Sequence, residues 1–287
     1  MKPGLLPTPK DDRDIPLGAI TSLPALSEIP DNFDVGVPII KDQKDTDFCT
    51  AFMSTGMSEL QEGVELSPEW AFAKSKEISG NPAEYGQDIR TALKVHTKHG
   101  AIAKSDSPYS LKNKSADFLR YIGNWPNLDK RAIPHVKASY VKVTGPYDAF
   151  DNIRATMWKY YAEKRGVSFG LYFGWPRKRV MLDVLPPEQN PHAMYFCGAR
   201  KVNGTHYLRI VNSYPDAGEN GIHLISREVV NHFYEIYGAY TFVDMPIEQL
   251  RYMVQNGITD KDNWVIQLMK AAVTALRELV ALRKSSA

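Results

Sequence analysis

The spacing of apolar residues changes near residue 135, and this change constrains the fold more than any other feature of the sequence. Before it, apolar side chains recur every three or four residues, as is typical of helices. After it come short β-branched and aromatic runs that predict strands: SYVKV, VSFGLYF, AMYFCGA, HYLRIVN and GIHLISR. One helix, near residues 147–164, interrupts them. We therefore expect an α+β fold with a helical and a β-rich lobe, and an active site in the cleft between them.

Three helices are predicted in the first half of the chain. The first runs from Cys49 to about Gln61, without proline, and has Cys49 at its N-terminus. The second begins after Ser67, a residue type that caps helices well. The third begins near Gln87 and ends at Gly100, because glycine is favoured just beyond a helix.

The two ends of the chain differ from its middle. Residues 1–30 contain six prolines, which predict an extended arm laid along a surface, too short to be a folded pro-domain. Residues 261–284 lack proline and glycine and carry a broad apolar face, which predicts a long helix. Such a face is expected to be buried, either on the chain's own lobes or, as an interaction helix over 259–287, in a homo-oligomer or larger assembly. The sequence is divided accordingly into an arm (1–30), a helical lobe (31–135), a β-rich lobe (136–244) and a C-terminal helical extension (245–287).

Charge and composition argue against several classes of protein. The 35 basic and 33 acidic residues leave a net charge of +2 and are interspersed, so no nucleic-acid partner is predicted. No stretch has the length of a membrane span, and prolines break the apolar run that a signal peptide needs. Two cysteines, Cys49 and Cys197, are too few for a disulfide scaffold, so we expect free thiols in the cytoplasm or another reducing compartment. No metal site or cofactor is predicted, since His96 and His99 lack further ligands.

Cys49 is the candidate nucleophile. A thiol attacks as its thiolate, which is stabilised by a nearby imidazolium and by the positive end of a helix dipole. A lone cysteine before an apolar helix is more often a small buried hydrophobe, so the position alone does not establish chemistry. Cys197, within an apolar run, is expected to be a buried strand residue, and most histidines are expected at surface or packed positions.

Three separated motifs resemble the papain-like cysteine peptidases. The segment KDQKDTDFCTAF is similar to the active-site segment of that family, with Gln43 six residues before Cys49. His192, followed by alanine, resembles the catalytic histidine that opens a strand. Asn212, followed by serine, resembles the asparagine at the end of the next strand. The motifs occur in the order of the family, and the resemblance covers about residues 30–243.

The resemblance implies a cysteine endopeptidase that acts on peptides or proteins through a thioester acyl-enzyme. Cys49 would be the nucleophile, His192 its base, and Asn212 the residue that orients the histidine. The side-chain amide of Gln43 and the backbone N–H of Cys49 would stabilise the oxyanion. No cofactor is implied.

The resemblance also implies three substrate-binding residues, Gly86, Ala193 and Tyr214, and shows departures. Gly86 and Ala193 would line a pocket that is open because both residues are small, and an apolar side chain is expected there. Tyr214 stands where the family usually has a tryptophan that shields the histidine–asparagine pair. The family's neighbouring disulfide cysteine is absent before Cys49, in agreement with a reducing setting. Members without a pro-domain occur in bacteria and their viruses, so a virion association would follow if a phage encodes the chain.

Two other functions remain open from the sequence. The chain can be a papain-like fold retained as a structural or binding component of a larger assembly, in which case Cys49 would react as an ordinary thiol. It can also be a thiol acyltransferase or amidase, which product analysis with an added amine would reveal.

Overall fold

A computed structural model describes residues 4–80, 84–107 and 126–260. Within them, helices of one lobe pack against a mixed sheet, so the expected α+β class is confirmed. The long helix predicted over residues 261–284 lies outside the described part of the chain. No helix in the described ranges is long and apolar enough to cross a membrane.

The helical lobe is built from α1 (Cys49–Glu62), α2 (Pro68–Ser79), α3 (Ile89–Lys98) and α4 (Pro126–Ala132). Local capping fixes where the second and third helices begin. Ser67 Oγ accepts the N–H of Trp70 at 3.2 Å, and Asp88 Oδ1 accepts the N–H of Thr91 at 3.0 Å. The three helices predicted from the sequence are confirmed, and the third begins after Gln87 because Asp88 is its cap.

The β-rich lobe carries a sheet whose strands are β1 (Phe33–Asp34), β2 (Ser139–Lys142), β3 (Val167–Tyr172), β4 (Met181–Leu182), β5 (Pro191–Val202), β6 (Thr205–Val211), β7 (Ile222–Ile225) and β8 (Ala239–Val243). The main path through the sheet is β2-β8-β3-β5-β6-β7-β4, and β1 pairs with β5. Every pairing is antiparallel except that of β4 with β7. The five strands predicted from the sequence are confirmed. The long central strand, β5, carries the candidate base near its start.

Three further helices are α5 (Ala149–Lys159), α6 (Arg227–Tyr237) and α7 (Ile247–Gln255). The helix predicted over 147–164 is shorter at both ends: Asp148 caps its start, and Lys164 has a φ of 52°, outside helical space. The sequence reading missed α6, although Val229, Val230 and Phe233 have helical spacing.

Helix α1 makes the main contact between the helical lobe and the sheet. Its residues from Cys49 to Leu60 are buried, and it packs along β5. The two elements approach closely at Gly56, where a Cβ atom would lie 2.4 Å from Cε1 of Tyr195. Only glycine allows this separation. The result is that the N-terminus of α1 lies beside the start of β5, where His192 is found.

The first part of the chain is more deeply packed than an arm on a surface. It forms two short 3₁₀ turns, Leu17–Ala19 and Leu26–Glu28, and its residues Leu17 and Ile20 are completely buried. They belong to a cluster with Leu250 of α7 and with residues of β2 and β8. Proline prevents regular hydrogen bonding here but does not stop the apolar side chains between the prolines from packing.

Candidate functional site

The thiol of Cys49 is buried at the first residue of α1. Burial raises its pKa to about 12; the nearby carboxylate of Asp47 acts in the same direction, and a hydrogen bond from the backbone N–H of Ala193 opposes it. The thiol is therefore neutral in this conformation. Its contact with Ala193 joins the start of α1 to the residue that follows His192 on β5.

The imidazole of His192 is held from one side only. Its Nε2 lies 3.0 Å from Oδ1 of Asn212, while Nδ1 has no hydrogen-bond partner among the described residues. Burial lowers the pKa of His192 to about 4, although the bond to Asn212 favours the protonated form. No hydrogen bond between Nδ1 and Cys49 Sγ is present within the described chain. Among the described residues, His192 is thus a neutral imidazole with one free nitrogen, and the residue that follows it contacts a neutral thiol.

Asn212 is fixed by a second histidine. It follows β6, its backbone N–H donates to Gly221 O at 2.8 Å, and its Nδ2 lies 3.1 Å from Nε2 of His223. His223 Nδ1 in turn lies 2.7 Å from the carbonyl oxygen of Arg179. The sequence reading placed His223 among the surface or packed histidines; it is packed, and it also contacts the candidate orienting residue. The sequence feature that could have indicated this contact is the place of His223 in a predicted strand shortly after Asn212.

Gln43 links the helical lobe to the loop after β6. Its side chain is fully buried; Nε2 donates to Thr46 O at 2.9 Å, and Oε1 accepts a hydrogen bond from the hydroxyl of Ser213. Its backbone N–H donates to Ser213 O at 2.9 Å. The Thr46 carbonyl uses one amide hydrogen, which leaves the second for an oxyanion. The oxyanion role of Gln43 stays a prediction.

Tyr214 covers one face of the histidine. Its ring centroid is 5.8 Å from that of His192, at an interplanar angle of 30°, and the Arg177 guanidinium stacks on it at 4.2 Å. Next to Tyr214 is a cavity of about 380 Å³, whose lining includes Lys44, Trp175 and Arg177. Tyr214 can shield the His192–Asn212 hydrogen bond from water, and the cavity provides open space beside it.

Gly86 lies against Gly4, and Ala193 lies against Cys49. The backbone N–H of Gly86 donates to the Asp47 carboxylate at 2.7 Å, and its φ of 72° suits glycine. Ala193 is buried on β5 and contacts Cys49 through its N–H. Ala193 lies at the thiol, and Gly86 lies against Gly4, which covers it. Their substrate-binding role stays a prediction.

Residues 4–6 occupy the space over Cys49. Gly4 O accepts the N–H of Gln87 at 3.0 Å, and the N–H of Leu6 donates to Gln87 O at 3.0 Å, in a parallel pairing. A Cβ atom at position 4 would lie 2.9 Å from Cys49 Sγ. The side chain of Leu5, 2% exposed, packs against Gly170 and Tyr237. The chain thus covers the candidate nucleophile with its own backbone.

Other candidate chemistry is absent from the described ranges. Cys49 and Cys197 are both free and buried, and burial raises the pKa of Cys197 to about 12. No group of three or more metal-ligating side chains occurs in this part of the molecule. His96 is buried between the hydroxyl groups of Ser54 and Ser58, at 3.1 and 3.0 Å.

The fold resembles those of solved papain-like cysteine proteases. Xylellain, a cysteine protease from Xylella fastidiosa, aligns over 85% of this chain and 97% of its own at 18% identity, with a TM-score of 0.63. Procathepsin L 3 from the larval midgut of Tenebrio molitor aligns over 80% and 74% at 16% identity, with a TM-score of 0.57. Bromelain from Ananas comosus aligns over 75% and 99% at 16% identity, with a TM-score of 0.54.

Neither a protein-family model nor a curated protein matches the sequence. At 16–18% identity, the structural likeness establishes the fold. The expected papain-like two-lobed architecture is confirmed.

Proposed function

We propose that this protein is a cysteine endopeptidase that hydrolyses peptide bonds through a thioester acyl-enzyme. The observation that carries the proposal is the state of His192: Asn212 holds Nε2, and Nδ1 is free of other partners in the described chain. The next residue of the same strand, Ala193, contacts Cys49 Sγ. A free imidazole nitrogen, an oriented ring and a thiol at a helix N-terminus are the parts that thiol catalysis requires.

The reaction follows from these positions. His192 Nδ1 takes the proton of Cys49, and the thiolate attacks the carbonyl carbon of the scissile peptide bond. The oxyanion accepts hydrogen bonds from the backbone N–H of Cys49 and from the second amide hydrogen of Gln43. His192 then gives its proton to the leaving amine. Water, deprotonated by the same nitrogen, hydrolyses the thioester and restores the thiol.

A substrate can bind only if residues 4–6 leave the cleft. In the covered state, the thiol and the imidazole are both neutral because they are shielded from water. Departure of Gly4 admits water and substrate, which lowers the desolvation cost of the thiolate–imidazolium pair. The positive end of α1 then favours the thiolate.

The position of Leu5 supports a preference for apolar side chains. Leu5 fills a site bounded by Gly170 and Tyr237; a Cβ atom on Gly170 would lie 2.7 Å from Leu5 Cδ2. Because position 170 carries no side chain, the site accommodates a branched aliphatic residue. Peptides with leucine near the cut should therefore be preferred over peptides with charged residues there.

A cleavage profile on a mixed peptide library tests the proposal. Cys49→Ala should abolish hydrolysis and keep the fold, while Cys197→Ala is the matched control, because both residues are free, buried cysteines. An epoxide inhibitor should attach to Cys49 and spare Cys197, as determined by mass spectrometry of the digested adduct. Turnover by Cys49→Ala close to that of the unmodified protein would overturn the assignment.

A further inference from the structure

His223 is a buried histidine to which the mechanism above gives no role. It lies on β7, opposite Ile210 of β6, with no exposed surface. Both of its ring nitrogens have partners: Nδ1 is 2.7 Å from Arg179 O, and Nε2 is 3.1 Å from Asn212 Nδ2. The ring therefore connects a backbone carbonyl to the side chain that holds His192.

The donors and acceptors of the hydrogen bonds that link Arg179, His223 and Asn212 can be assigned in one way only. A backbone carbonyl only accepts, so His223 Nδ1 carries the hydrogen that reaches Arg179 O. Burial lowers the pKa of His223, so the ring is neutral and Nε2 is an acceptor. The atom of Asn212 that faces Nε2 must then be its N–H₂ group. Its Oδ1 consequently faces His192.

The same logic fixes the tautomer of the base. Asn212 Oδ1 can only accept, so His192 Nε2 must carry a hydrogen. In a neutral imidazole this leaves the lone pair on Nδ1, which is the nitrogen that must receive the thiol proton. A reversed Asn212 amide would offer N–H to His192, move the ring hydrogen to Nδ1 and remove the base.

We propose that His223 is a positioning residue, which fixes the amide orientation of Asn212 and through it the tautomer of His192. This inference rests on the proposed function, since it concerns the same site. The two ring nitrogens of His223 face Asn212 and Arg179, so neither of them bonds to the thiol. The effect of His223 passes through Asn212.

The packing around His223 supports this role. Gly218 has a φ of 53°, and a Cβ atom there would lie 2.8 Å from His223 Nδ1 and 2.3 Å from Ile222 O. The glycine thus makes room for the ring. Phe173 contacts both imidazoles edge-on, with centroid distances of 5.9 Å to His192 and 5.4 Å to His223. One aromatic ring therefore packs against both imidazoles.

A matched pair of substitutions tests the inference. His223→Gln retains an acceptor near the position of Nε2, whereas His223→Met has similar length and no strong acceptor. We expect His223→Met to lower kcat about fivefold to tenfold, the effect of one lost neutral hydrogen bond, with KM unchanged. His223→Gln should recover most of that loss. In an Asn212→Ala background, the two substitutions should have equal effects, because the group they act through is gone.

The tautomer can be measured without turnover. In Cys49→Ala protein, ¹⁵N chemical shifts of His192 should report hydrogen on Nε2, and His223→Met should add the Nδ1 tautomer. If both variants keep the original tautomer and kcat, or lose stability and activity equally, His223 only supports the core and the inference is wrong. If the protein cleaves no peptide while the His192 tautomer still responds to His223→Met, the positioning role stands and the proposed function fails.

Discussion

The covering of Cys49 by residues 4–6 makes a prediction about Gly4→Ala. The added Cβ atom would lie 2.4 Å from Asp47 O and 2.9 Å from Cys49 Sγ, both inside normal contact distances. The opposing atoms are a helix-start backbone and a buried thiol, so residues 4–6 must move instead. Alanine removes no interaction at this position, and its only effect there is steric.

The size of the effect follows from the bonds that hold the segment. Moving Gly4 breaks the two short bonds of the pairing with Gln87, which are Gln87 N–H to Gly4 O and Leu6 N–H to Gln87 O, each 3.0 Å. It also loosens two longer bonds, from the N–H groups of Gly4 and Leu5 to Pro191 O at 3.3 and 3.4 Å. Two neutral hydrogen bonds contribute about 2 kcal/mol together, which corresponds to about a 30-fold change in the ratio of covered to open molecules. Open molecules expose Cys49, so its reaction rate should rise by up to this factor.

The rate of iodoacetamide labelling of Cys49 at pH 6.5, measured by mass spectrometry, checks this prediction without requiring peptidase activity. Peptide hydrolysis at low substrate concentration should rise in parallel. Gly36→Ala is the matched control, because its Cβ atom would come within 3.2 Å only of the flexible end of the Leu60 side chain. A synthetic peptide of residues 4–10 should slow labelling of the Gly4→Ala protein again. Unchanged labelling in Gly4→Ala would show that the segment does not control access to the thiol.

Three further predictions concern catalysis, stability and the end of the chain. In steady-state kinetics, Gln43→Ala should lower kcat about 10²-fold with a smaller change in KM. A rise in KM of about 10²-fold with kcat unchanged would instead assign Gln43 to substrate binding. Burial lowers the pKa of His96 to about 3 and of His192 to about 4, so the unfolded chain binds protons that the folded chain does not. As the pH is lowered from 6 to 4.5, the free energy of unfolding should therefore fall by about 1.4 kcal/mol per pH unit for each of the two histidines. Urea titrations at several pH values should show that the free energy of unfolding of His96→Gln falls less steeply with decreasing pH. The same dependence on pH in both proteins would contradict this. If the segment beyond residue 260 joins subunits, a chain ending at residue 260 should keep its melting temperature and elute as a smaller species than the full chain. If the full chain is also a monomer and the truncated chain melts at a lower temperature, the segment packs on the lobes of its own chain. The cut lies after α7, because Leu250 and Met253 are completely buried.

Local structure could be predicted because its causes are local. The start of α2 follows from Ser67 and that of α3 from Asp88, each of which accepts a backbone N–H three residues on. The strands follow from β-branched and aromatic runs bounded by turn residues. The placement of Cys49 at a helix N-terminus follows from the same patterns, and the resemblance to papain-like peptidases then gave His192 and Asn212 their expected roles.

The arrangement of the candidate site depends on contacts between distant parts of the chain. The hydroxyl of Ser213 meets Gln43 across 170 positions of sequence, and Gly4 reaches Gln87 and Cys49 from the chain's beginning. The spacing of apolar residues along the chain does not predict such contacts, because they form only when the lobes pack together. The pKa of the Cys49 thiol is set in the same way, since desolvation depends on everything that surrounds the sulfur.

The contact of His223 with Asn212 could not be predicted from the sequence, although the two residues are close along the chain. His223 is 11 residues from Asn212, and the sequence reading assigned it only to a surface or packed position. Its contact with the amide depends on the register of β6 against β7 and on the turn that Gly218 permits. A shift of one residue would turn the ring to the other face of the sheet. The sequence alone therefore determined which side chains were available, and the packing of β6, β7 and the Arg179 carbonyl determined which of them hold the base.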